Sequence, residues 1–437
     1  MDFRLLRSSS AFVCLLACLS NYAVASATES QAVGNHYAES LATASFDTSC
    51  VMHQVPLETI PDTPWGVSEI VIDQLLRADA MDYRPVGFYG RKSSYGMHNH
   101  VQYSVVSLWT WAIENSVLRG DTERLDSLIA KWEPFAEGRL RSKDPNHVDF
   151  SVYGALPLEI YLVNGDERAL RIGLYYADRQ WAKPSPDVQP DHGTFDAEEQ
   201  LRLWERGLSP QSRFWVDDLY MITFLQTNAW RATGERMYID RAALTMAEYL
   251  PKVQLKNGFV YHSPQAPFVW GRGMGWVAAG MALLLDNLPE DSEYRPMILK
   301  GYCKMMKSLL DCQSPDGMWR QLVDDEESWS ETSCTAMFGY AFACGVRNGW
   351  LPENKYLLAA RKAWKALLRY IDCYGNIGHV CTGTDRRNSR DWYMNRGTVN
   401  GDPHGQAPLL WLATELIRLE RQDVENIPVY VTDKKGR

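Results

Sequence analysis

The chain has 437 residues, 46% hydrophobic and 23% charged, which is the composition of a globular protein able to bury a large core as one big domain or two ordinary ones. Its formal charge of −9, with no basic stripe, argues against nucleic acid and anionic lipid surfaces as partners, although one or two arginines in a cleft suffice for a small anionic ligand. Zinc-type cysteine pairs, HExxH and the phosphate-cradling GxxxxGK[ST] are absent, so no metal, nucleotide or other cofactor is expected.

Residues 1–27 read as an export signal. Arg4 and Arg7 precede an apolar run from Ala11 to Leu19, and the small residues Ala23, Ala25 and Ala27 follow. A secreted or periplasmic protein is therefore expected, with Cys18 as the alternative site of a lipid anchor. Residues 28–63 read as an irregular extension. No later run reaches eighteen apolar residues, so no transmembrane segment is expected. The cysteines after the signal are odd in number and lack a framework spacing, which suits small buried apolar residues; an exported protein permits a disulfide, but the spacing predicts none in particular.

From Trp65 the apolar residues recur at three and four, as in helices. One unit repeats: an apolar helix, a tight turn with Gly and an acid, then a two-faced helix. It spans Val105 to Phe135 around Gly120-Asp121, Phe150 to Trp181 around Gly165-Asp166, and Val216 to Leu250 around Gly234-Glu235. Looser copies turn at Pro289-Glu290-Asp291 and Leu351-Pro352-Glu353-Asn354, and Gln406 to Glu420 completes the set with Trp65 to Leu76. Helices apolar on every side belong inside a closed ring. The predicted fold is all-α, an (α/α)6 barrel of six helical hairpins over residues 64–425, with a tail at 426–437. Residues 182–214 interrupt the rhythm and predict a long loop with a short charged helix.

Four polar stretches open predicted inner helices, so a toroid gathers them at one rim. They are Asn146-His147-Val148-Asp149, Trp215-Val216-Asp217-Asp218, His262 with Trp270-Gly271-Arg272-Gly273-Met274-Gly275-Trp276, and Glu331-Thr332-Ser333. Each has a plain alternative: Asp149, Asp217, Asp218 or Glu331 as a helix cap, the glycines as packing contacts. If Asp149 and Asp217 share a cavity, their like charges and the Trp215 ring raise the pKa of one, giving a carboxylic acid able to donate a proton. Arg272 is suited to hold an anionic sugar, and Trp270 and Trp276 to stack on rings.

Together these motifs resemble the unsaturated glucuronyl and unsaturated rhamnogalacturonyl hydrolases, from about Trp65 to Arg421. The resemblance implies an (α/α)6 barrel that removes the 4,5-unsaturated uronic acid left at the non-reducing end of oligosaccharides by polysaccharide lyases. It also implies Asp217 as general acid/base, Asp149 as its partner, and His147, Trp215, His262, Trp270, Arg272 and Trp276 as binders of the unsaturated sugar. No metal is implied. The division of work between Asp217 and Asp218 stays open, as do two other readings: an ordinary inverting glycosidase using Asp149 and Asp217, and a non-catalytic glycan-binding module.

Overall fold

The structure, a computed structural model, describes residues 57, 59–88, 100–190 and 193–422. The expected export signal, Cys18, most of the extension and the tail lie outside the described residues.

In chain order the elements are α1 (Pro64–Arg77), α2 (Tyr103–Arg119), α3 (Thr122–Ala136), α4 (Val148–Ser151), α5 (Ala155–Asn164), α6 (Glu167–Arg179), α7 (Ala197–Glu205), α8 (Asp218–Thr233), α9 (Arg236–Val253), α10 (Gly271–Asn287) and α11 (Arg295–Asp311). Then come β1 (Trp319–Arg320), β2 (Ser330–Glu331), α12 (Thr332–Arg347), α13 (Glu353–Leu367), β3 (Val380–Cys381), α14 (Arg390–Met394), β4 (Thr398–Val399) and α15 (Pro403–Gln422). Helices α2, α5, α8, α10, α12 and α15 pack side by side in that order, and α15 returns to α2. The ring is closed. Helices α3, α6, α9, α11, α13 and α1 lie outside it, each against its sequence neighbour or, for α1, against α15 and α2. This is the (α/α)6 barrel expected from the periodicity.

The two rings differ as their sequences do. Helix α10 is buried without interruption from Gly271 to Leu285, whereas α3 buries only Leu128, Trp132 and Phe135, spaced four and three apart. Each Leu or Phe so buried contributes about 1.5–3 kcal/mol, enough to hold an outer helix by one stripe. Three inner helices end at Gly120, Gly165 and Gly234, with φ of 70°, 73° and 73°, a left-handed turn that disfavours other residues. Asp121 and Asp166 then cap α3 and α6 by accepting from the N–H groups of Arg124 and Arg168.

Those tight turns put the C-terminal ends of the inner helices at one end of the barrel, where charged side chains link all six. Arg231 on α8 meets Glu114 on α2 at 3.0 Å and Glu159 on α5 at 2.7 Å. Arg418 on α15 meets Glu114 at 2.7 Å and also pairs with Glu415. Arg347 on α12 joins Glu415 at 2.8 Å to Asp286 on α10 at 2.7 Å. Basic residues near helix C-termini also complement the helix dipoles. Four carboxylates (Glu114, Glu159, Asp286, Glu415) face three guanidiniums (Arg231, Arg347, Arg418), and burial, opposed by Arg231 and reinforced by Glu114, pushes Glu159 up to about 7.

The structure also departs from the sequence reading. The helix expected from Phe150 is broken into α4, a 3-10 turn at Val152–Gly154 and α5. Two short antiparallel ladders, β1 with β2 and β3 with β4, had no alternating pattern to announce them. The cysteines Cys303, Cys312, Cys334, Cys344, Cys373 and Cys381 are all free thiols, while Cys50 lies outside the described residues.

A group whose pKa is higher in the folded than in the unfolded chain contributes stability below its unfolded value that is lost as pH rises through the folded one. For Glu159 that window runs from about 4.5 to about 7, at up to about 1.4 kcal/mol per pH unit. Between pH 5 and 7 the wild-type protein is expected to lose about 1–3 kcal/mol more unfolding free energy than Glu159→Gln. Equal losses in urea titrations of the two proteins would count against the protonated belt.

Candidate active site

The opposite end of the barrel collects the N-termini of the inner helices, and its centre is the turn before α8. Phe214 adopts a positive φ of 54°, unusual for a residue with a Cβ, and is held there by stacking on Tyr249 at 4.6 Å and by donating its N–H to the Tyr249 hydroxyl. The turn sends Arg213 inward. Its backbone N–H and Nε donate to Asp218 at 2.7 and 2.8 Å, while its two terminal nitrogens reach Asp149 at 3.2 and 3.0 Å. Tyr249 donates its hydroxyl to Asp218 at 2.8 Å. Burial works against the charge of Arg213, but Asp149 and Asp218 outweigh it and keep the guanidinium protonated.

This network decides among the three acids. Asp218 is fully buried and bonded to Arg213 and Tyr249, so its role is to hold the turn. Asp149 does not cap its helix: His147 does, its Nδ1 accepting the Asp149 N–H at 3.1 Å, while its Nε2 stands 3.3 Å from Arg213. Asp217 stands at the cap position of α8 but makes no capping bond, and its Oδ2 is buried with no hydrogen-bond partner among the described residues. His262 Nε2 lies 3.6 Å from that oxygen and likewise lacks a hydrogen bond, while its Nδ1 is 2.8 Å from the Tyr393 hydroxyl. The two acids expected to share a cavity are joined there by a cation, the Arg213 guanidinium, which stands 3.0 Å from Asp149.

Asp217, Asp149 and Arg213 share one small hollow with Tyr103, Trp215, Trp270, Arg272, Gly383 and Thr384. Arg272, nearly inaccessible, donates to the carbonyls of Cys381 and Thr382 and has no carboxylate within 4 Å among the described residues. A guanidinium fixed by neutral acceptors keeps its full charge for an anion. Burial opposes that charge, but the surrounding field, with contributions from Cys381, Glu331 and Tyr103, keeps the arginine above its ordinary value. Trp270 presents an indole N–H that also lacks a partner among the described residues. Buried polar atoms are ordinarily bonded, so Asp217 Oδ2, His262 Nε2 and Trp270 Nε1 together mark a place where a polar ligand belongs.

The other expected residues fall differently. Trp276 does not line the hollow; it packs at 5.0 Å on Tyr220 and 6.1 Å on Tyr103, inside the aromatic core. Trp215 lines it, with the guanidiniums of Arg213 and Arg386 over its ring at 4.6 and 4.2 Å. Glu331 is a cap, accepting from the N–H groups of Ser333 and Cys334 and of Cys381. The glycines beside Arg272 are packing contacts: a Cβ on Gly271 meets the Arg320 carbonyl at 2.7 Å, and one on Gly273 meets the Trp270 ring at 2.7 Å.

Sequence reading overlooked Tyr103, Gly383 and Thr384, and left Arg213 within the long loop of residues 182–214. Tyr103 opens α2, which with α15 is one of two inner helices whose N-termini drew no attention, and its hydroxyl is 2.7 Å from His404 Nε2, with His404 Nδ1 at 2.6 Å from Asp402. Gly383 and Thr384 reach the hollow because the β3–β4 ladder carries them there. No short-range pattern marks such a loop.

The division of roles gives a direct comparison. Asp218→Ala strips the buried Arg213 of one partner and is expected to cost about 3–5 kcal/mol in unfolding free energy. Asp217→Asn removes no bonded partner and is expected to stay within about 1 kcal/mol of wild type. Similar losses in both, read by urea unfolding, would contradict this assignment.

The glycosyl hydrolase family 88 model matches residues 90–420. An unsaturated 3S-rhamnoglycuronyl hydrolase of Formosa agariphila is 35% identical over 158 residues, 35% of this chain and 39% of that protein's length. One of the same name from Alteromonas sp. (strain LOR) is 23% identical over 343 residues, covering 75% and 80%. In fold, the chain is similar to a possible GH105 member from Klebsiella pneumoniae (TM-score 0.68, 19% identity, 86% and 98% covered). It is also similar to the unsaturated glucuronyl hydrolase of Bacillus sp. GL1 (TM-score 0.56, 16% identity, 82% and 97% covered). With three quarters of its length matched to the family and the barrel in common with these structures, the chain belongs to glycosyl hydrolase family 88, glycosidases of the unsaturated glucuronyl and rhamnogalacturonyl hydrolase type.

Proposed function

We propose that the protein hydrates the C4=C5 double bond of a 4,5-unsaturated uronic acid at the non-reducing end of lyase-made oligosaccharides of rhamnogalacturonan or ulvan type, and so releases that sugar. The observation that carries this reading is the pairing in one hollow of Arg272, which has no carboxylate partner among the described residues, with Asp217, whose buried Oδ2 has no hydrogen bond among them. An anionic planar ring seated with its carboxylate toward Arg272 brings a vinyl ether toward Asp217. The relatives' names, which specify unsaturated rhamnoglycuronyl substrates, point the same way.

In the proposed reaction the protonated Asp217 gives its proton to C4, and the charge that develops is shared between C5 and the ring oxygen. Water adds at C5, losing a proton to the Asp217 carboxylate or to Asp149, which Arg213 holds in place. The hemiketal opens at the C5–O5 bond, leaving a hemiacetal at C1. That carbon expels the aglycone alcohol and becomes an aldehyde, while C5 becomes a ketone. His262, 3.6 Å from Asp217, positions its carboxyl group, and Trp270 with Trp215 walls the ring. Export to the periplasm or beyond, proposed from the first 27 residues, would place the enzyme beside secreted lyases.

Incubation with unsaturated disaccharides from pectic or ulvan lyase digests is expected to abolish the ultraviolet absorbance of the double bond, and Asp217→Asn to slow that loss by about 10²–10⁴-fold. Turnover of saturated glycosides with no loss of absorbance in the unsaturated ones would overturn the proposal in favour of an ordinary inverting glycosidase.

A further inference from the structure

Once water has added at C5, two proton transfers are still needed. The hemiketal hydroxyl has to lose a proton while the ring oxygen O5 gains one, and the hemiacetal that follows repeats the exchange between its own hydroxyl and the aglycone oxygen. Asp402, His404 and Tyr103 are a bonded cluster beside the hollow with no part in the steps before this point. Asp402 precedes α15, His404 lies in its first turn and Tyr103 opens α2, and these are the two helices that close the ring.

His404 Nδ1 lies 2.6 Å from Asp402 Oδ1, which also accepts the His404 backbone N–H at 2.8 Å. Its Nε2 lies 2.7 Å from the hydroxyl of Tyr103, a residue in the wall of the hollow. The rings of His404 and Tyr103 meet edge to face at 5.1 Å, and Trp276 backs both, 6.4 Å from the first and 6.1 Å from the second. Asp402 and His404 are buried. Burial opposes the charge of Asp402, but His404 and, more weakly, Arg272 outweigh it and hold the carboxyl below the usual carboxylate range. An ionised carboxylate only accepts, so neutral His404 carries its proton on Nδ1 and offers Nε2 as an acceptor to the tyrosine. Tyr103 can then pass its own proton to Nε2 while taking one from a substrate hydroxyl, and the imidazolium so formed faces Asp402.

We propose that Tyr103, positioned by His404 and Asp402, carries the proton that collapse of the hydrated sugar requires. The inference rests on the hydration reading given under Proposed function and adds a catalytic residue to it. As C5 becomes a ketone and the C5–O5 bond breaks, the C5 hydroxyl proton passes to Tyr103 and the tyrosine proton to His404; the same relay in reverse protonates O5. It then takes the proton of that new hydroxyl and returns it to the aglycone oxygen as the C1–O bond breaks. Each cycle leaves the three side chains as they began.

The test follows both stages of one turnover by proton NMR, in the cold, with enzyme in excess over an unsaturated disaccharide. Loss of the vinyl H4 signal reads hydration, and appearance of the free second sugar reads release. The two are expected to coincide in wild type. In Tyr103→Phe, His404→Gln and Asp402→Asn, release is expected to fall about 10²-fold further than hydration, with the hydrated but still joined disaccharide appearing between them. That figure is at the low end for acid–base catalysis because collapse also proceeds unaided in water. Asp402→Asn keeps the shape of the pair but sets an amide N–H against Nδ1, which moves the imidazole proton to Nε2 and removes the acceptor. A merely structural role lowers the melting temperature or slows both stages alike, and the three substitutions are independent, so misfolding of one leaves the others to decide. Release that keeps pace with hydration in the folded variants would overturn the proposal and leave the hydration reading intact. Persistence of the vinyl signal with wild type and every disaccharide would overturn both.

Discussion

Arg213, clamped between Asp149 and Asp218, is the contact on which the catalytic end depends. Two carboxylates and a guanidinium withdrawn from water are a poor source of net stability, since desolvation takes back most of what attraction supplies. What the cluster fixes is arrangement. It ties the start of α8 to the start of α4, holds Phe214 in a left-handed turn, and leaves Asp217 as the acid whose Oδ2 has no hydrogen bond among the described residues. Adjacent acids thus come to differ completely in environment, and chemical assignment follows from environment rather than from motif position.

The barrel assigns different tasks to its two ends. At the closed end, short glycine turns leave room for a belt of ion pairs running from Asp286 through Arg347, Glu415, Arg418 and Glu114 to Arg231 and Glu159. At the open end, long connections, two short ladders and a 3-10 break deliver side chains that no helix could place. The inner helices point their N-termini toward this end, so their dipoles add a positive potential over the hollow. An acidic protein can therefore offer an anionic sugar a favourable local field, which its net charge of −9 conceals.

What the sequence could disclose followed from short-range pattern. The glycine and acid turns at Gly120, Gly165 and Gly234, and the difference between one-faced and fully apolar helices, were enough to expect a closed ring. Asp217, Asp149, Trp270 and Arg272, which all line the hollow, stand out in the sequence because they interrupt inner helices at one recurring place. The partner of Asp149 was not legible, since Arg213 lies 64 residues away and had no signal beyond its nearness to Trp215. Trp276 was misplaced for a related reason: a tryptophan six residues after Trp270 on a helix buried all round can face either the cleft or the core, and only the rings of Tyr220 and Trp411 decide for the core. The segment through Gly383 and Thr384 reaches the hollow by a ladder of four residues, too short for periodicity to reveal.

The account stands on Asp217 and Arg272 acting on one sugar, with Arg213 holding the other acids aside. Its most direct test is a crystal structure of Asp217→Asn with an unsaturated disaccharide bound. The expected complex has the uronate carboxylate on the Arg272 guanidinium, C4 within about 3.5 Å of the residue 217 side chain, and Arg213 still between Asp149 and Asp218. A sugar seated with its carboxylate on Arg213, or with its double bond turned away from residue 217, would contradict it.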